Sequence, residues 1–190
     1  MIQVGLRTGG TLDIYDDGCI DAFQVMPETL AYGLAHVTRF GGQAGAFSVG
    51  EHSVNMVRLL KAQRLYPTKS MVRACLIHDA PECLGVGDTQ RFVKRRFQSP
   101  KLTEFDHDLT LVLWQNLCPD CDPWHHLTCG LKNLDVTIGA IEARHFGFPH
   151  DARDLPYFRI PAEAQPRMLH PQQVVTEWMN LWNGGSGGAG

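Results

Sequence analysis

Apolar positions recur along most of this chain with a helical period, and glycines and prolines interrupt them at intervals. Ser48-Val-Gly-Glu-His52 predicts a helix start, because Ser48 and Glu51 have the S-x-x-E spacing of a capping box. Val49, His52, Met56 and Leu59 then share one face, which turns His52 toward the core. A helix from Ser70 puts Met71, Ala74, Cys75 and His78 together. It is expected to falter at Pro81, whose ring clashes with the preceding turn. His78 and Asp79 then fall at a helix end, and Glu82 opens the next segment.

The flanking pattern fills in around these two helices. Pro27-Glu28 opens an earlier helix running to Val37, since proline fits a first helical turn. Thr38 to Phe47, broken by Gly41, Gly42 and Gly45, reads as a flexible loop carrying Arg39 and Phe40. Ser99-Pro100 starts a helix to Leu117, and Leu131 to Phe146 is another, with Leu131, Asp135, Ile138 and Glu142 on one stripe. Pro149 to Pro166 is loop-like, Pro171 to Trp182 is a terminal helix, and Trp114, Trp178 and Trp182 are expected to fill core or dimer contacts. Residues 1–27 are expected to form a short hairpin or extended arm, and the glycine-rich 184–190 a disordered tail. The predicted class is all-α, five or six helices with little strand, in a single domain over 1–183.

Charge narrows the partners. The formal net charge of −3 disfavours field-driven binding to a nucleic-acid polymer, which needs a clustered basic surface. It leaves room for a small anion held by a few local cations. No apolar run is long enough to cross a bilayer, and Met1 to Arg7 lacks a signal-peptide core, so no membrane partner and a cytoplasmic location are expected. Reduced thiols are expected for Cys19, Cys75, Cys83, Cys118, Cys121 and Cys129 in that setting. Cys118-Pro-Asp-Cys121, with His125, His126 and Cys129, has zinc-knuckle-like chemistry, but its spacing fits no common zinc pattern.

The chemistry-bearing residues gather on the two central helices and one downstream. A histidine on an apolar helical face is more often a hydrogen-bonded core residue than a ligand. Coincidence changes that balance here. His52, His78, Asp79 and Asp135 all fall on core-facing or helix-end positions of three helices, where each would be costly to bury alone. A shared cation would resolve the four problems together. Two imidazoles and two carboxylates suit a divalent ion such as Mn²⁺, Fe²⁺, Co²⁺, Zn²⁺ or Mg²⁺. Phosphoryl chemistry also needs cations on the transferring oxygens, for which Arg39 and Lys94 are candidates, whereas Arg95 and Arg96 read as a solvated patch.

The ordered set His52…His78-Asp79…Asp135 resembles the H…HD…D signature of the HD-domain phosphohydrolase superfamily. Arg39-Phe40-Gly-Gly, Phe47-Ser-Val-Gly-Glu-His52-Ser-Val, Leu76-Ile-His78-Asp79-Ala-Pro-Glu82, Gly87-Asp88 and Lys94 extend the resemblance over residues 8–145. They are similar to the branch of small deoxyribonucleoside 5′-monophosphatases and phage-type dATP triphosphohydrolases. The opening, from Thr8-Gly-Gly-Thr11 to Ala35-His36-Val37-Thr38-Arg39-Phe40, looks more like the phage-type group.

That resemblance implies an HD-type helical bundle, one divalent ion (Co, Mn, Zn, Fe or Mg) and an additional Mg with a triphosphate substrate. The substrate would be a deoxynucleotide, dATP first. The protein would be a homo-oligomer in a bacterial or phage-infected cytoplasm. His52, His78, Asp79 and Asp135 would be the metal ligands, and Arg39 and Lys94 would clamp phosphate. Glu82 would serve the attacking water or the leaving oxygen, and Asp88 would orient the site through the sugar 3′-hydroxyl. Phe40 would lie against the sugar and disfavour a 2′-hydroxyl. Two departures stand out. Where the branch reads D-L-P-x-P-L-K this chain has Asp88-Thr-Gln-Arg-Phe-Val-Lys94, and Gly50 occupies a position where alanine is common. Two other classes remain open from the residues: a nucleotide-binding module without turnover, and a helical interaction protein without metal.

Overall fold

The computed structural model describes residues 1–7, 9–15, 19–63, 67–86, 100–119, 130–156 and 160–184. Among them, three short strands, β1 (Ile2–Gly5), β2 (Thr11–Ile14) and β3 (Ile20–Asp21), precede six α-helices. These are α1 (Pro27–His36), α2 (Val49–Ala62), α3 (Lys69–Ile77), α4 (Pro100–Leu117), α5 (Leu131–His145) and α6 (Pro171–Trp182). The molecule is mostly helical, with one small sheet.

Helix α2 departs from the one-faced pattern expected of it. Every residue from Val49 to Val57 is buried, as are Leu59 and Leu60, because α1, α3, α5 and α6 all pack against it. A helix enclosed on all sides must satisfy its polar side chains inside the protein. Ser48 caps it as predicted, its Oγ accepting from the Glu51 amide at 3.1 Å. The Glu51 carboxylate, however, does not return to the helix start. It accepts hydrogen bonds from the backbone amides of Arg167, Met168 and Leu169 at 2.6, 3.2 and 2.8 Å. Further along, Arg58 donates to Asn55 Oδ1 and pairs with Glu177 on α6.

Gly50 explains itself by close approach. A Cβ built there would lie 2.8 Å from Val174 Cγ1 and 3.0 Å from the Ala35 backbone nitrogen. The departure from alanine is therefore a packing requirement between α1, α2 and α6, and not a minor change in a helix start.

The remaining helices close the core. Trp114 and Trp178 are fully buried, the Trp178 indole donates to the Leu76 carbonyl at 3.3 Å, and Trp178 stacks on Trp182. Helix α3 begins at Thr68, whose Oγ1 accepts from the Met71 amide, and ends at Ile77 just ahead of the Pro81 break. The N-terminal arm is a three-stranded antiparallel sheet in the order β1-β2-β3, with Val4 opposite Leu12, and Leu12 is fully buried. The segment expected to be a flexible loop is instead folded. Thr38 bridges Ser48, the Arg39 amide bonds the Phe47 carbonyl at 2.8 Å, Arg39–Gly42 forms a tight turn, and Phe47 is buried. Gly184 is the one residue of the predicted tail that lies inside the described residues.

Candidate metal centre

Three separate segments deliver the polar side chains to one place. His52 comes from the first turns of α2, where burial on every side fixes its ring. His78 and Asp79 follow the last residue of α3, where the proline break leaves them off the helix. Asp135 comes from the second turn of α5. The ligand atoms of His52, His78 and Asp79 all lie within 4.8 Å of one another. His78 Nε2 stands 3.0 Å from Asp79 Oδ2, and His52 Nε2 stands 3.7 Å from the same oxygen. Asp135 Oδ1 completes the ring of groups, 3.5 Å from His52 Nε2 and 4.0 Å from His78 Nε2. The four residues that the sequence grouped are thus brought together.

Each imidazole is fixed from behind. His78 Nδ1 donates to the Cys75 carbonyl at 2.8 Å, which assigns the proton to that nitrogen, because a carbonyl can only accept. His52 Nδ1 lies 2.9 Å from both carboxylate oxygens of Glu142. With both Nδ1 atoms engaged, the two Nε2 atoms face each other's carboxylates, and neither makes a hydrogen bond although both are buried. Buried, unbonded imidazole nitrogens beside carboxylates are the donor set of a divalent ion, and a carboxylate behind the histidine is its usual support. The residues fit an ion. The Asp79 and Asp135 side chains keep 21% and 16% exposure while the imidazoles keep 0% and 7%, so the carboxylates form the mouth and the imidazoles the floor.

The electrostatics agree with this arrangement. Burial and Arg39 act to lower the His52 pKa, but Glu142 and Asp135 outweigh them and raise it to about 9. Burial opposes ionisation of Asp79 and Asp135, yet the neighbouring imidazoles, and Lys132 beside Asp135, hold both carboxyls well below the usual range. Lys132 Nζ sits 2.8 Å from Asp135 Oδ2.

Arg39 reaches this cluster from the turn before α2. Its Nη1 is 3.5 Å from Asp79 Oδ2 and its Nε is 3.3 Å from Glu142 Oε2. Phe40 beside it adopts a left-handed backbone (φ 56°, ψ 31°), a conformation costing a bulky residue about 1–3 kcal/mol. Its ring packs on Phe148 and Phe146 at centroid distances of 5.0 and 6.2 Å, making an aromatic wall next to the guanidinium. Glu82 is buried one turn beyond Asp79, its amide bonded to the Asp79 carbonyl at 3.0 Å. Asp88 and Lys94 lie outside the described residues, as do Cys121, His125, His126 and Cys129. No disulfide links the described cysteines, and burial pushes the Cys75 and Cys83 thiols up to about 12.

Two residues of the centre escaped the sequence reading. Glu142 was visible on the Asp135 stripe, two helical turns along, and a second carboxylate on a core-facing stripe is the signal that could have drawn it in. Lys132 carried no such signal, since a lysine one turn from an acid is ordinary surface helix chemistry. No protein-family model matches the chain, and no curated protein matches it either.

Proposed function

We propose that this chain is a metal-dependent phosphohydrolase of deoxynucleotides, with dATP as the first substrate to consider. The observation that carries the reading is the pair of buried, unbonded imidazole nitrogens facing Asp79 and Asp135, with the Arg39 guanidinium at the same mouth. A divalent ion held by His52, His78, Asp79 and Asp135 would supply an acidified water and offset charge on phosphate oxygens. The chain's own residues would do the rest. Arg39 would bind phosphate oxygens as their charge grows in the transition state. Phe40, backed by Phe146 and Phe148, would exclude water and lie against the sugar. Glu82, one turn from Asp79, would exchange a proton with the water or the leaving oxygen. Asp88 and Lys94 would add sugar and phosphate contacts, by resemblance.

For dATP, the water oxygen bonds the α-phosphorus and the bond to the 5′-oxygen breaks. The 5′-oxygen takes a proton, and the products are deoxyadenosine and triphosphate. The same geometry on dAMP gives deoxyadenosine and orthophosphate, which is the 5′-monophosphatase reading.

The test is product chromatography after incubating the protein and Co²⁺ or Mn²⁺ with dATP, dAMP and ATP separately. Deoxyadenosine with intact triphosphate is the expected result. Orthophosphate from dAMP with dATP untouched moves the protein to the monophosphatase class. Bound metal with no turnover of the three overturns dATP as the substrate and directs the same assay to the other bases; silence there as well overturns the enzymatic reading in favour of a nucleotide-binding module.

A further inference from the structure

Two carboxylates form the mouth of the centre, and each carries a cation. Arg39 Nη1 lies 3.5 Å from Asp79 Oδ2, and Lys132 Nζ lies 2.8 Å from Asp135 Oδ2. We propose that Lys132 is a phosphate-binding residue of this site, holding substrate phosphate oxygens from the Asp135 side. The inference rests on the phosphohydrolase reading and extends it to a residue which that reading leaves idle.

Asp135 divides its two oxygens. Oδ1 stands 3.5 Å from His52 Nε2 and 4.0 Å from His78 Nε2, and Oδ2 meets Lys132. An ion can therefore take Oδ1 without displacing the ammonium. The Lys132 side chain is 61% exposed against 16% for Asp135, so Nζ stands on the solvent side of an enclosed carboxylate. An ammonium has three donors, and the contact with Asp135 uses one of them.

Helix α5 carries the two cations to either side of that carboxylate. A Cβ built on Gly139 would lie 3.9 Å from Arg39 Nη2, so the guanidinium passes the helix there. Lys132 precedes Gly139 by two helical turns, about 10 Å along the axis, with Asp135 between them. The position of Lys132 also runs against local preference. It is the second residue of α5, where the helix dipole favours acids, and no side chain caps that helix start. A cation there adds to the positive end of the helix, which costs the helix stability and suits an anionic ligand.

A Lys132 that only neutralised Asp135 would be ordinary helix pairing, and phosphate would not feel its loss. One that oriented Asp135 would act through the ion, and metal affinity would fall with it. The test combines Zn²⁺ affinity from chelator competition with inorganic phosphate affinity from calorimetry on the Zn²⁺-loaded protein. In Lys132→Met at fixed salt, phosphate affinity is expected to fall about fivefold, while Zn²⁺ affinity is unchanged or rises. Lys132→Arg should hold phosphate affinity to within about twofold of wild type. Unchanged phosphate affinity in Lys132→Met overturns the proposal, as does a phosphate loss matched by an equal Zn²⁺ loss. A Zn²⁺-loaded wild type that binds no phosphate overturns it too.

Contact is read separately by labelling the wild-type Zn²⁺ form with acetic anhydride. Phosphate should protect Lys132 and leave Lys101, exposed on α4, labelled as before. Equal labelling of Lys132 with and without phosphate overturns the assignment. None of these readouts uses turnover. Inactivity on every nucleotide would sink the enzymatic reading and leave the phosphate contact standing. Normal turnover with unchanged phosphate affinity in Lys132→Met would do the reverse.

Discussion

Glu51 and His52 are neighbours on α2, both fully buried, and the protein treats them in opposite ways. Glu51 has its charge met by the chain itself, through three backbone amides of residues 167–169. His52 has one nitrogen met by Glu142 and the other left facing carboxylates at 3.5 and 3.7 Å without a hydrogen bond. The first group has its bonds from the chain itself; the second has them at one of its two nitrogens. Burial alone does not mark a functional site. Two unbonded imidazole nitrogens converging on the same carboxylates give the stronger signal.

That contrast can be broken at its ligand side first. Asp79→Ala should abolish metal binding and metal-dependent turnover while the far-ultraviolet circular dichroism of the metal-free protein is unchanged; retained turnover would remove the centre from the chemistry. On the other side, Glu51→Gln should do the opposite. It replaces a charged acceptor of three amides with an amide that presents donors to donors, and should cost about 2–4 kcal/mol in urea unfolding. Metal affinity of the folded protein should stay within about threefold, and a large loss of affinity would mean that the two pockets are one. Gly50→Ala, one residue before Glu51 and outside both sets of bonds, should cost about 1–3 kcal/mol by overpacking against Val174 and the α1 backbone. A neutral result in thermal melts would show that α1 and α6 yield more readily than their contacts imply.

The smallest effect is a slope with pH, and its sign separates the empty from the filled centre. His52 is raised to about 9 from 6.5. Its contribution to metal-free stability is fully present below pH 6.5 and is lost as pH rises through about 9. Asp79 and Asp135 are lowered, so their contribution is present above the ordinary carboxylate range and is lost only in strong acid. The metal-free melting temperature should therefore fall by a few degrees between pH 6.5 and 9. With saturating Zn²⁺ the slope should reverse, because the ion competes with the proton on His52 and gains as pH rises. Parallel profiles would show that His52 is not a ligand.

Much of this was legible in the sequence because it depended on local rules. The capping serine places His52, the proline break places His78 and Asp79, and the helical stripe places Asp135, and each of these local rules held. What could not be read depended on distant partners. Glu51 has the spacing of a capping residue, and only the return of residues 167–169 over α2 shows where its carboxylate goes. Glu142 is one of several acids at helical spacing until His52 and Arg39 are seen on either side of it. The one-faced pattern of α2 hid its full enclosure because Ser53, Asn55 and Gly50 look solvent-facing in a periodic reading, yet are covered by neighbouring helices. The hairpin expected in the N-terminal arm forms as β1 and β2, but the addition of β3 was not legible among glycines that fix turns and not partners.

Helix α2 finds its charged partners late in the chain: His52 at Glu142, Glu51 at residues 167–169 and Arg58 at Glu177. During synthesis on the ribosome this helix emerges well before any of them. Until α6 has been made, closing the core around α2 would strand two charges and an imidazole in an apolar interior, so the nascent chain gains little by early collapse. Completion of the fold is thereby tied to the synthesis of residues 167–182, and a polypeptide halted before residue 167 should be a substrate for proteases and chaperones instead of a smaller working version of the protein.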